Sequence, residues 1–202
     1  MTHSDFKLVV LVSGGGSNLQ AIIDAIDHKK LDAHIALVIS DRENAYALTR
    51  ARNAKIPALF LNPKQDTGRT EFEATLTKKV LAADPDLIIL AGFMRILSGS
   101  FVEEFQGKII NIHPSLLPAH RGLDTHQRAI NAGDKIHGAT VHFVTEELDD
   151  GPIILQATVP VCETDSADSL KKKVLQQEHV IYPSAIQLIA QGKINFNNPV
   201  MS

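Results

Sequence analysis

Residues 6–12, FKLVVLV, are almost uninterrupted aliphatic and β-branched side chains, and the run ends at three consecutive glycines, Gly14, Gly15 and Gly16. A strand without polar alternation is one covered on both faces, the condition of a central strand in a parallel sheet. Beyond the glycines, Leu19, Ile22, Ile23 and Ile26 recur at helical spacing. Strand, glycine turn and helix in succession commit the chain to alternating α/β units. Those units continue: strands are expected over 35–39, 58–61 and 87–90, with helices over 45–53 and 69–82. In the turn itself, bare backbone can come close to a ligand, and Ser17 or Asn18 can cap a helix whose positive end favours an anion. Phosphate is the natural guest. The turn lacks both the third glycine of a dinucleotide fingerprint and the lysine of a P-loop, although Asp41 closes the second strand as a dinucleotide-dependent oxidoreductase would require.

A second stretch, KIINIHPSLL from Lys108 to Leu117, carries the polar groups best placed for chemistry. Side chains alternate along a strand, so Asn111 and His113 leave one face while Ile110 and Ile112 take the other. Pro114 disfavours helix at the residue before it, which makes His113 the last extended residue. An amide and an imidazole therefore emerge together at a strand's carboxyl end, where open α/β sheets bind ligands. The plainer alternative is an edge strand with a wet polar face. Leu116 and Leu117 in the loop that follows, with Pro118, His120 and Arg121, are unusual for a surface connection without a task.

The remaining segments are read as follows. Between the fourth strand and Ser98, a possible helix cap, Phe93, Met94, Arg95, Ile96 and Leu97 occupy what should be a polar loop, so this loop either packs under the domain or lines an apolar pocket. Arg69 falls at a helix start, where the dipole does not favour a cation. A strand over 139–145, with His142 opposite Val141 and Phe143, and another over 153–161 flank Glu146, Glu147, Asp149 and Asp150, which gives a hairpin with an acidic connection. Composition does not select one carboxylate from that group. The last helix, about 166–190, places Leu170, Val174, Gln177 and Ile181 on one stripe with Glu178 at its edge; a carboxylate there snorkels outward or reaches a ligand, and snorkelling is the commoner fate. Pro183 should kink this helix. The fold class is thus α/β: a Rossmann-like, mostly parallel sheet with helices on both faces, a C-terminal antiparallel hairpin and a long helix.

A chain of 202 residues with no repeat or linker reads as one domain over 1–202, with a phosphate-binding half at 1–107 and a catalytic half at 108–202. A formal charge of −3 and no basic run beyond 171–173 argue for small-molecule partners rather than nucleic acid. One cysteine, no leader-like start and no long apolar run point to a cytoplasmic protein without membrane contact. Nine histidines raise zinc hydrolysis, but no His-x-x-x-His or His-Glu-x-x-His spacing occurs, so no metal is expected.

Taken together, SGGGSNLQAI at 13–22, AGFMRIL at 91–97, NIHPSLLP at 111–118, GATVHFV and ELDDGPIILQ within 138–156, and EHVIYP at 178–183 resemble the phosphoribosylglycinamide formyltransferases of purine biosynthesis, in the wider formyltetrahydrofolate-dependent superfamily. The resemblance spans nearly the whole chain, and the absence of room for an extra domain at either end sets it against methionyl-tRNA formyltransferase and formyltetrahydrofolate deformylase. It implies transfer of a formyl group from the co-substrate 10-formyltetrahydrofolate to the amine of glycinamide ribonucleotide. It implies Asn111, His113 and Asp149 as catalytic, Gly16, Ser17, Asn18 and Glu178 as ribonucleotide contacts, and Arg69, Met94, Arg95, Ile96, Leu97 and Asn111 as folate contacts. Two departures accompany it: Leu175 where a polar phosphate contact is expected, and Ala119-His120-Arg121-Gly122 where relatives often carry a lysine and an aromatic residue. The alternatives are deformylation of the same folate and nucleotide binding without chemistry.

Overall fold

The computed structural model describes residues 5–63 and 69–199, with Arg69 placed in its helix but without its side chain. In chain order the elements are β1 (Lys7–Val12), α1 (Ser17–Asp27), β2 (His34–Ser40), α2 (Tyr46–Asn53), β3 (Ala58–Phe60), α3 (Arg69–Ala83), β4 (Leu87–Leu90), α4 (Gly99–Glu104), β5 (Ile109–His113), α5 (Thr125–Ala132), β6 (Ile136–Phe143), β7 (Ile153–Pro160) and α6 (Ala167–Ala190). They form one sheet in the order β3-β2-β1-β4-β5-β6-β7. The first five strands pair in parallel, and β6 runs antiparallel to both β5 and β7.

Two apolar layers cover the sheet. On one face Leu8, Val10, Ile89, Ile110, Ile112, Val141 and Phe143 pack against α1, α2 and α6. On the other, Val9, Leu11, Ile88 and Ile109 meet Phe72, Leu76 and Val80 of α3 and Phe101 and Val102 of α4. This two-sided burial is why β1 and β4 read as continuous apolar runs. The strand order reverses between β1 and β4, so the loops after them diverge at the carboxyl edge and leave a crevice there.

β5 has the bounds its sequence predicts and lies between β4 and β6, which removes the edge-strand alternative. β6 starts and ends earlier than expected, because Ile136, His137 and Gly138 pair with β7. The α1 cap also differs. Gly16 occupies the N-cap in the left-handed region (φ 70), and no side chain caps the helix. A Cβ on Gly16 would lie 2.6 Å from Cβ of Ala47, so the packing of α2 leaves no room for a side chain at this glycine.

α6 runs on through Pro183 and carries the fully buried Tyr182, whose hydroxyl reaches the carbonyls of Leu90 (2.9 Å) and Ile110 (3.2 Å). One polar side chain thus ties the longest helix to β4 and β5 beside their carboxyl ends. Tyr182→Phe removes the donor and leaves those acceptors facing an apolar ring; we expect a loss of about 1–2 kcal/mol in urea unfolding with an unchanged m value, and an unchanged midpoint would show that the contact contributes nothing.

Candidate active site

The side chains of Asn111 and His113 share the β5 face opposite Ile110 and Ile112, and both neighbouring strands and two loops close around them. Register sets Asn111 opposite His142 and His113 opposite Thr140. The amide Nδ2 of Asn111 lies 3.3 Å from Nε2 of His142, whose Nδ1 is 2.8 Å from the carbonyl of Phe143. A carbonyl only accepts, so Nδ1 of His142 carries the proton and Nε2 accepts from Asn111. Burial pushes the His142 imidazole below its ordinary pKa, which keeps it neutral and able to accept. His142, absent from the expected site, therefore orients Asn111. Its period-2 position opposite Val141 and Phe143 marks the right face, but the pairing partner is a tertiary fact.

His113 is buried and meets an acceptor at each nitrogen. Nε2 is 3.0 Å from the backbone carbonyl of His120, and Nδ1 is 3.4 Å from Oδ2 of Asp149. Of the acidic connection, Glu146, Glu147 and Asp150 are exposed, whereas the Asp149 carboxylate is only 9% exposed. Asp149 has φ 51, accepts from the amide of Gly122 at 2.9 Å, and brings Oδ1 to 3.9 Å from Nε2 of His142. One carboxylate thus stands between two imidazoles, and the other three are solvated. Arg121 pairs with Asp150 on the outer side of the same turn.

The loop after Pro114 is built rather than loose. Thr140 Oγ1 donates to the Ser115 carbonyl (2.6 Å) and accepts from the Leu117 amide (3.0 Å), and Thr125 Oγ1 donates to the Pro114 carbonyl (2.7 Å). Leu117 is buried and Leu116 lies over Gly138, so the two leucines are accounted for by packing.

Across the crevice, Ser13 joins the glycine turn to the loop after β4: its hydroxyl donates to Asp41 (2.6 Å) and accepts from the Met94 amide (2.8 Å). Asp41 is thereby occupied inside the protein, at the position where a dinucleotide's ribose would need it. Gly14 and Gly15 face open space, and the first amides of α1, at Ser17 and Asn18, have no partner within the helix. The Asn18 side chain turns inward, donating to Glu178 at 2.7 Å. Glu178 is buried rather than snorkelling, and burial raises its pKa against the lowering effect of Asn18. In the loop after β4 both readings hold: Phe93 and Leu97 pack on the second core, whereas Met94 and Ile96 are 61% and 65% exposed. Arg95 lies over the ring of Phe72 at 4.7 Å, and the side chain of Arg69 is outside the described residues. Leu175 is half-buried on α6, one turn before Glu178. Among the described residues no group of His, Cys, Asp or Glu is arranged to hold a metal, and no helix is long and apolar enough to cross a membrane.

Known proteins resemble this chain in sequence and in fold. The formyl transferase family model matches residues 6–186. Phosphoribosylglycinamide formyltransferase of Escherichia coli K12 is 47% identical over 191 residues, covering 95% of this chain and 90% of its own. The structure of glycinamide ribonucleotide transformylase 1 from Symbiobacterium toebii superimposes with a TM-score of 0.94 at 45% identity, covering 99% of this chain and 94% of the other. A formyltetrahydrofolate deformylase from Pseudomonas syringae is more distant in sequence, 27% identical with a TM-score of 0.88; the match covers 96% of this chain but only 64% of the deformylase.

The buried Glu178 makes stability depend on pH with a definite sign. Its folded pKa is raised above the ordinary 4.5, so its contribution is fully present below that value and is lost as pH rises through the folded pKa. Glu178→Gln should therefore melt at a higher temperature than the wild type at pH 7, with the difference vanishing below about pH 4.5. A difference that persists in acid would mean that burial of the charge is not its origin.

Proposed function

This chain belongs to the formyl transferase family, and we propose that it transfers the formyl group of 10-formyltetrahydrofolate to the amine of glycinamide ribonucleotide through Asn111, His113 and Asp149. The acceptor amine attacks the formyl carbon to give a tetrahedral intermediate with a negative oxygen, and collapse breaks the bond to the folate nitrogen. That oxygen needs donors, and the departing nitrogen needs a proton. Asn111 supplies an amide donor fixed by neutral His142. His113, protonated on Nδ1, supplies the second donor and then gives its proton to the leaving nitrogen; the proton released by the attacking amine restores it. Asp149 balances the imidazolium charge. The observation that carries this reading is the burial of Asp149 alone, among four neighbouring carboxylates, against His113.

The two substrates approach from different sides of β5. Gly15, Gly16 and the amides of Ser17 and Asn18 hold the ribonucleotide phosphate, and Glu178 acts through Asn18. Exposed Met94 and Ile96, with Arg95 and Leu97, form the wall for the folate ring, and Arg69 meets its carboxylate-bearing arm. In this reading 1–107 is the phosphate-binding half and 108–202 the catalytic and folate-binding half, with the loop at 94–97 of the first half reaching across to the folate. The net charge of −3 supports small-molecule partners without nucleic acid, and a cytoplasmic location goes with that role. Purified protein should consume 10-formyltetrahydrofolate only when glycinamide ribonucleotide is present. Consumption without it would indicate a deformylase, and none in either case a nucleotide-binding module.

Asn111→Ala should reduce kcat by about 10²–10³ with little change in the Michaelis constant for folate; a loss below tenfold would remove Asn111 from the oxyanion hole. Gly15, which has open space where a Cβ would point, gives a cleaner test of the phosphate cradle than Gly16. Gly15→Val should raise the Michaelis constant for the ribonucleotide and leave that for folate unchanged. An effect confined to folate would exchange the two halves of the site.

A further inference from the structure

His120 stands at the centre of the loop that covers His113, yet the chemistry above gives it no part. It has φ 54, in the left-handed region that few non-glycine residues adopt, although histidine is among those enriched there. Its imidazole Nε2 is 2.6 Å from Oδ2 of Asp134, immediately after α5, and its ring meets His137 edge to face at 5.9 Å. The backbone carbonyl of this anchored residue is the partner of His113 Nε2 at 3.0 Å.

Two acceptors compete for the single proton of a neutral His113. A carboxylate is ordinarily the stronger, since charge-assisted hydrogen bonds are roughly twice as strong as neutral ones. Here it sits at 3.4 Å from Nδ1, beyond a good hydrogen bond, whereas the His120 carbonyl is in full hydrogen-bond geometry with Nε2. The alternative tautomer would also turn the Nε2 lone pair against the carbonyl lone pair. On the assignment of His113 as the catalytic imidazole, we propose that His120 is a positioning residue: its carbonyl, held by the pairing of its side chain with Asp134, keeps the proton of neutral His113 on Nε2 and leaves Nδ1 free to exchange a proton in the site. The loop is further fixed by the Gly122 amide on Asp149 and by Arg128 Nη1 on the carbonyl of Arg121 at 2.5 Å, so the pull on the carbonyl comes from both sides of the loop. A histidine with a carboxylate partner thus holds the peptide.

The test uses ring ¹⁵N shifts of His113 in the full chain at alkaline pH, together with steady-state kinetics. The wild type should show the Nε2–H tautomer. Asp134→Ala, and independently His120→Gly, which suits the left-handed backbone and removes the anchor, should shift the ring toward Nδ1–H. Both should lower kcat about 10–100-fold with little change in either Michaelis constant. Asp134→Asn, which keeps an acceptor for His120, should restore both readouts. An Nδ1–H tautomer in the wild type, or an unmoved tautomer in both loss variants, overturns the proposal. If the tautomer moves and kcat does not, the tautomer control stands and His113 is removed from formyl transfer.

Discussion

The register between β5 and β6 is the constraint on which the site depends. Side chains in a strand alternate, so a slip of one residue would carry His142 into the core and bring Val141 or Phe143 against Asn111. What holds the register is not polar. Ile110, Ile112, Val141 and Phe143 all enter the layer under α6, and each fully buried apolar side chain contributes about 1.5–3 kcal/mol relative to exposure. The polar face, with Asn111, His113 and His142, is positioned by the opposite face's avoidance of water. Tyr182 adds a directional tie at the same strand ends.

The histidines near this scaffold have divided electrostatic roles. Burial pushes His126 down to about 4, and it lowers His137 and His142 as well. Neutral rings can share a single proton: His126 Nδ1 and His137 Nε2 are 3.2 Å apart, a distance that needs one donor and one acceptor. A set of imidazolium ions in the same volume would repel and would not pack. With His126, His137 and His142 uncharged, the carboxylate of Asp149, 3.4 Å from Nδ1, is the charged side chain that meets His113.

Much of this was legible in the sequence where local chemistry decides. Pro114 ends β5 at His113, the glycines end β1 and Ser98 caps α4, because each acts on backbone within a few residues. The role of His142 was not legible, since its partner lies 31 residues away across an antiparallel pair. Glu178 illustrates the same limit. From the stripe of α6 it reads as a snorkelling edge residue, but Asn18, 160 residues earlier, meets it in the interior. That contact also withdraws the Asn18 side chain from capping α1 and gives the cap to Gly16. Selection of Asp149 over Asp150 depends on φ at a single residue and on the amide of Gly122, neither of which leaves a periodic trace.

The loops facing His113 are built on a different principle from the sheet beneath. His120, Asp124 and Asp149 have φ of 54, 56 and 51. Each non-glycine residue in that region costs about 1–3 kcal/mol and persists only where surrounding contacts over-determine it. Those contacts are polar and come in opposed pairs: His120 to Asp134, Arg121 to Asp150, the Gly122 amide to Asp149, and Thr125 to the Pro114 carbonyl. Thr125 and the Asp149 carboxylate are themselves buried, where an unmade polar contact is costly. The groups on β5 are thus fixed by apolar packing, and those on the facing loops by opposed polar contacts that hold strained backbone in place.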